Sequence, residues 1–280
     1  MISAVKMRKA VSLVTAIRPY AESAIELLKQ LDAAAKGEGH PLLMKRPIKK
    51  ELYVVISSNR GLCGAFNTQI TKRIRQTLQE DAEFEHAFIT IGKKGERAVR
   101  RLKGDIIASF PDVLGAPTAE NMRGIARIII DEFEAKRVDR VVMIYTDYVS
   151  ILTQEVKVRA LLPVILKDTK KAMHDMPPTS HNQPPLTEEK KLMKAEYVIE
   201  PSPKKVLWRM IPRLLEMELY HAVLASNASQ EAARMIAMRN ATDAAKEMVS
   251  DLTLAYNQIR QGKITQEIAE LSAGMAAVSR

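Results

Sequence analysis

Apolar positions in this chain follow two rhythms. Near the start, Ser3, Met7, Ala10, Val14, Ile17, Ala21, Ala24, Leu28 and Leu31 step by four and three, the seven-residue repeat of a coiled-coil helix. The pattern predicts a helix over Met1–Ala35. Pro19 removes a backbone donor and crowds the preceding turn, so a kink is expected near Arg18. Near the end, Met238, Ala241, Ala245, Met248, Leu252, Ala255 and Ile259 repeat the alternation. Alanine at several seam positions lets a partner backbone come close. The helical pattern begins at Ser202, and no proline follows Pro212. As one helix, Arg213–Arg280 would run roughly 100 Å at 1.5 Å per residue. A helix that long cannot lie flat on a small domain and must pair with something.

Between these ends the period shortens. ELYVVISS (Glu51–Ser58), HAFITIG (His86–Gly92), DIIASF, RVVMIYTDYVS and QEVKVRALLPV read as strands. Thr68–Ala82, a short stretch through Arg101, and Thr118–Lys136 read as helices, the last with Pro117 at its start. Alternating strands and helices predict a mostly parallel sheet covered on its faces. Glu51–Leu166 therefore reads as a small α/β domain. Residues 167–194, with HDMPPTSHNQPPLTEEKK, carry too little apolar surface to order themselves and read as a loop. AEYVIEP reads as one more strand. The expected fold is an antiparallel two-helix coiled coil of both termini with a Rossmann-like α/β domain inserted. Its parts are residues 1–50, 51–201 and 202–280.

Composition narrows the chemistry. The 280 residues carry a net charge of +10 and a pI near 9.6, which favours an acidic or anionic partner. Aromatics are only 5% while methionines number 14, a balance that suits helix seams better than a large globular interior. One cysteine excludes an internal disulfide and fits a reducing compartment. No run approaches the roughly 18 apolar residues of a membrane span.

Few residues invite catalysis. NRGLCGAFN follows a strand and precedes a helix, but matches neither dinucleotide nor P-loop spacing, so it reads as a tight connection. Cys63 has no histidine near it in sequence and reads as a small buried residue. His40, His86, His174, His181 and His221 show no metal spacing. Glu188–Glu189 and Glu216–Glu218 read as loop or helix-face charges. Lys6, Arg8, Lys9 and Arg18 stud the first helix. Arg209, Arg213, Arg234, Arg239, Arg260 and Lys263 stud the last. Together they predict a basic coil facing an acidic partner. Sparse aromatics argue against single-stranded nucleic acid. A nucleotide-binding α/β domain and a basic duplex binder are the competing classes.

ISSNRGLCGAFN and ASQEAARMIAMRNATDAAKEMVSDLTLAYNQIRQGKITQEIAEL resemble the gamma subunit of the F-type rotary ATP synthase. RPYAE and YVIEP fit the same pattern, and the resemblance covers essentially the whole chain. It implies a rotor: a coiled coil of both termini threads a ring of alternating alpha and beta subunits. The α/β domain lies at the foot with the epsilon subunit and the membrane c-ring. It implies no catalysis and no cofactor, a peripheral place on the cytoplasmic face of the membrane complex, no membrane insertion and no nucleic acid. Carried over, Arg234, Arg260, Gln261 and Thr265 meet the catalytic ring, with Glu267 in the same patch. Leu271–Val278 is the tip in an apolar sleeve. Tyr197 and Glu200 face the c-ring. Members of the family usually begin several helical turns before the stretch matching MISAVKMRKA. That implies either an upstream start, the preferred reading, or a shaft shorter on one side whose upper seam is left exposed. The cysteine pair of plant-type members is missing here, so thiol control is not expected.

Overall fold

The computed structural model describes residues 3–14, 16, 40–115, 117–164 and 200–278. The kink expected at Pro19, the loop 167–194 and most of AEYVIEP, Tyr197 included, lie outside these residues. The chain divides into two compact units, Met1–Met235 and Ile236–Arg280.

The first unit is built on a five-stranded sheet in the order β3-β2-β1-β4-β5. Its strands are β1 (Lys50–Ile56), β2 (Glu85–Ile91), β3 (Asp105–Phe110), β4 (Arg140–Tyr148) and β5 (Gln154–Leu162). The first four run parallel, and β5 returns antiparallel beside β4. The helices are α1 (3–14), α2 (Phe66–Glu80), α3 (Lys93–Arg101), α4 (Ala119–Glu134) and α5 (Pro203–Val278). The central strand β1 is buried on both faces from Glu51 to Ile56, which explains why ELYVVI is an unbroken run rather than an alternating one. Strand alternation still sorts its side chains. Leu52, Val54 and Ile56 join a core with Met122, Ile125 and Ile129 of α4 and Leu207, Ile211 and Leu215 of α5. Tyr53 and Val55 join a second core with Phe66, Ile70 and Ile74 of α2.

Boundaries differ from the sequence pattern in explicable ways. Thr118, rather than Pro117, caps α4: its hydroxyl accepts the Asn121 N–H at 3.2 Å. The positive φ angles of the turn after β1 fall on Leu62 (61°) and Gly64 (56°), while Gly61 adopts none. Helix α5, by contrast, begins within a residue of the expected Ser202. It starts at Pro203 and runs through Pro212. In α1, Met7, Ala10 and Val14 are buried, and Lys6, Arg8 and Lys9 between them are exposed. The described part of the N-terminal seam, from Met7 to Val14, is thus a packed face.

Candidate partner interface

The beginning of α5 belongs to the core. Leu207, Ile211, Leu214, Leu215, Leu219, Ala222 and Val223 are all buried, so this stretch is held by the sheet and α4. A polar cluster lies along the same contact. Arg159 on β5 reaches Glu218 at 3.2 Å, and Lys157 reaches Asp147 at 2.6 Å. His221 is buried beside them, and burial pushes it down to about 4; Asp147 opposes that shift, and Arg159 and Lys157 add to it. Glu218 is therefore not the helix-face charge that the Glu216–Glu218 spacing suggests. It is buried because β5 presents an arginine to it. Glu216 stays nearer the surface and pairs with Arg213 at 2.8 Å.

In open α/β sheets a ligand crevice forms where strand order reverses, here beyond β1 and β4. On the β2 side of β1, the residues that follow β1 bond to the start of α3. Ser57 Oγ accepts the Gly95 N–H at 2.6 Å, Ser58 O accepts the Lys94 N–H at 3.0 Å, and Asn59 Oδ1 accepts the Lys93 N–H at 3.0 Å. The opening amides of α3, which could have met a phosphate, are thereby taken up. A Cβ at Gly92 would lie 2.5 Å from Ser57 O, so the backbones meet there with no room between. Asn67 donates to Cys63 Sγ at 3.1 Å, and Cys63 is buried, as its sequence context suggests. Arg234 reaches over this turn. It pairs with Glu231 and donates to Gly61 O at 3.5 Å.

The second unit presents the opposite picture. From Met238 to Met275 every side chain is exposed except Asn257, which is half-buried. The seam is among them: Met248 and Leu252 are each 64% exposed, and Ile259 is 72% exposed. Among the described residues, none covers this stripe. A second apolar series, Ile264, Ile268, Leu271 and Met275, is equally open. At about 100° per residue, Ile264 lies roughly 140° around the helix from Ile259. The apolar stripe therefore changes face between them. An exposed surface of this size marks an interaction site.

A family model for the ATP synthase, the F1 gamma-subunit family, matches residues 1–278. The chain belongs to that family. It is homologous to the central-stalk subunits of rotor assemblies. Its fold is also that of three solved chains. The central stalk with c-ring of the Tetrahymena thermophila mitochondrial ATP synthase matches with a TM-score of 0.62 at 22% identity, over 86% of this chain and 96% of that one. A chain of the Euglena gracilis mitochondrial ATP synthase, from OSCP/F1/c-ring in rotational state 3, matches at 0.57 and 18% identity, over 99% and 93%. One from the Euglena gracilis rotor in rotational state 1 matches at 0.53 and 17%, over 94% and 98%.

Against that family, the residues expected to meet partners fall in different settings. Arg260, Gln261, Thr265 and Glu267 are exposed in the second unit. Thr265 Oγ1 donates to the Gln261 carbonyl at 2.9 Å, one turn earlier. Arg234 is in the first unit, mostly covered and already paired. Glu200 is exposed just before α5, whereas Tyr197 lies outside the described residues. No helix among the described residues is long and apolar enough to cross a membrane. The cluster of Asp147, Lys157, Arg159, Glu218 and His221 escaped the sequence reading. Its only trace there is the charged spacing of Lys157 and Arg159 on one face of a strand.

Proposed function

We propose that this gamma-family chain is the turning shaft of its ATP synthase, with no active site of its own. The observation that carries the reading is the uncovered apolar seam from Met238 to Ile259, continued on another face by Ile264–Met275. A soluble helix keeps such a surface only for partners. In this reading both termini wind into an antiparallel coiled coil, and the packed seam of Met7, Ala10 and Val14 supports an N-terminal strand in it. The change of stripe after Ile259 suits a helix that leaves one partner and meets another. The partners are the alpha and beta subunits around α5, with Arg234, Arg260, Gln261, Thr265 and Glu267 toward the ring. The epsilon subunit and c-ring stand at the foot near Tyr197 and Glu200. In this reading the chain sits peripherally, on the cytoplasmic face of the membrane complex. The parts 1–50, 51–201 and 202–280 then serve as first shaft helix, foot and second shaft helix.

Coupling follows from linkage. Each shaft angle favours one beta conformation over another, so rotation shifts the catalytic affinities in turn. The test is reconstitution with alpha and beta subunits. The expected product holds three of each with one copy of this chain, and its ATPase depends on that copy. Alpha and beta subunits that assemble and cycle fully without it would refute the reading.

A further inference from the structure

One buried row of α5 repeats every four residues. Leu207, Ile211, Leu215, Leu219 and Val223 are all buried, and each is a branched aliphatic. Sliding α5 along itself by one turn, about 5.4 Å, therefore exchanges like for like in this row. Cores of the right volume and pattern lose uniqueness before they lose stability. The aliphatic row alone does not fix where α5 stops on the sheet. The adjoining row, Leu214, Glu218 and Ala222, is also buried and does not repeat.

Glu218 meets Arg159 of β5 at 3.2 Å, and the two side chains are 5% and 15% exposed. A slide of one turn in either direction puts Leu214 or Ala222 before Arg159, and neither can answer its charge. Separating a buried pair in this way disfavours the shifted state roughly hundredfold to several-thousandfold. The neighbouring Lys157–Asp147 pair joins β5 to β4, so a slide of α5 leaves it intact. We propose that Arg159 and Glu218 are positioning residues: they fix the axial register of α5 on the sheet, which the aliphatic row leaves undetermined. The functional half, that coupling needs this register, rests on the shaft reading above.

The test uses the full chain with Cys63→Ser and spin labels on Thr68→Cys and Arg209→Cys. Both sites are exposed. Thr68 follows the end of β1, whereas Arg209 precedes Glu218 on a helix whose Ser229 later reaches the Thr146 carbonyl near the end of β4. Their separation therefore reports movement along α5. The parent should give one distance. Arg159→Met with Glu218→Met should unfold in denaturant no earlier than the parent, yet add a second distance displaced by up to about 5 Å. Moving the acid by one turn, Glu218→Leu with Ala222→Glu, should enrich the displaced distance severalfold over the methionine variant. If the methionine variant unfolds early, the relocated acid decides alone. The parental distance by itself in every variant that folds would show that the pair only stabilises, and would overturn the proposal. In the assembled complex, the methionine variant should lower proton pumping relative to ATP hydrolysis. Two distances with unchanged pumping would overturn the functional half alone. Catalysis by alpha and beta subunits that needs no copy of this chain would refute the shaft reading and leave the register standing.

Discussion

Two stretches of one helix, α5, have opposite fates. Residues 207–232 are rich in leucine and alanine and are largely buried. Residues 238–275 draw on the same residue types and are exposed. The difference is not in the helix-forming tendency of the sequence, which is high in both. The first stretch has a sheet and α4 to cover it, and β5 aims Arg159 at Glu218. The second meets nothing among the described residues. A periodic apolar face states that a cover is needed; the surroundings decide whether the chain itself supplies it.

The contrast can be broken with proline. Val223→Pro should unfold the first unit, since a helix-interior proline costs about 3 kcal/mol or more before any lost packing. Ala245→Pro should leave thermal unfolding of the first unit unchanged, yet abolish coupled synthesis in the complex. A fall in melting temperature for both would merge the two stretches into one structural unit.

Truncation sharpens it further. Leu219→Ala should destabilise the isolated chain by about 2–5 kcal/mol, and Leu252→Ala by no more than about 0.5 kcal/mol, read by denaturant unfolding. Acid should act on the buried stretch only. His221 is held below its unfolded value near 6.5, at about 4. Between those values the unfolded chain binds more protons. Stability is thus complete above about pH 6.5 and falls as pH drops toward 4, by up to roughly 3 kcal/mol. His40, lowered chiefly by burial, adds in the same direction. His221→Gln should flatten most of the slope in equilibrium unfolding between pH 6.5 and 4. The smallest effect belongs to exposed charge. Arg260→Ala should move stability within about 0.5 kcal/mol while lowering coupled synthesis more than assembly. Equal losses in synthesis and assembly would mark the residue as structural.

Much of the sheet was legible because strand rhythm is local. ELYVVI, HAFITI and DIIASF fall within a residue or two of their observed strands. The start of α5 was legible too, since the helical pattern from Ser202 falls one residue before the observed Pro203. Glu218 was misplaced because whether a helical charge faces water depends on a strand some 60 residues earlier. The interface residues came from family resemblance, and only exposure in the fold separates Arg260 from the already paired Arg234.

The most direct measurement is hydroxyl-radical footprinting of methionines in the free chain and in the complex with alpha and beta subunits. Met248 and Met275 are exposed, and Met217 is buried, so Met217 serves as the internal control. The account predicts that assembly protects Met248 and Met275 severalfold and leaves Met217 unchanged. Equal oxidation of Met248 and Met275 before and after assembly would contradict it.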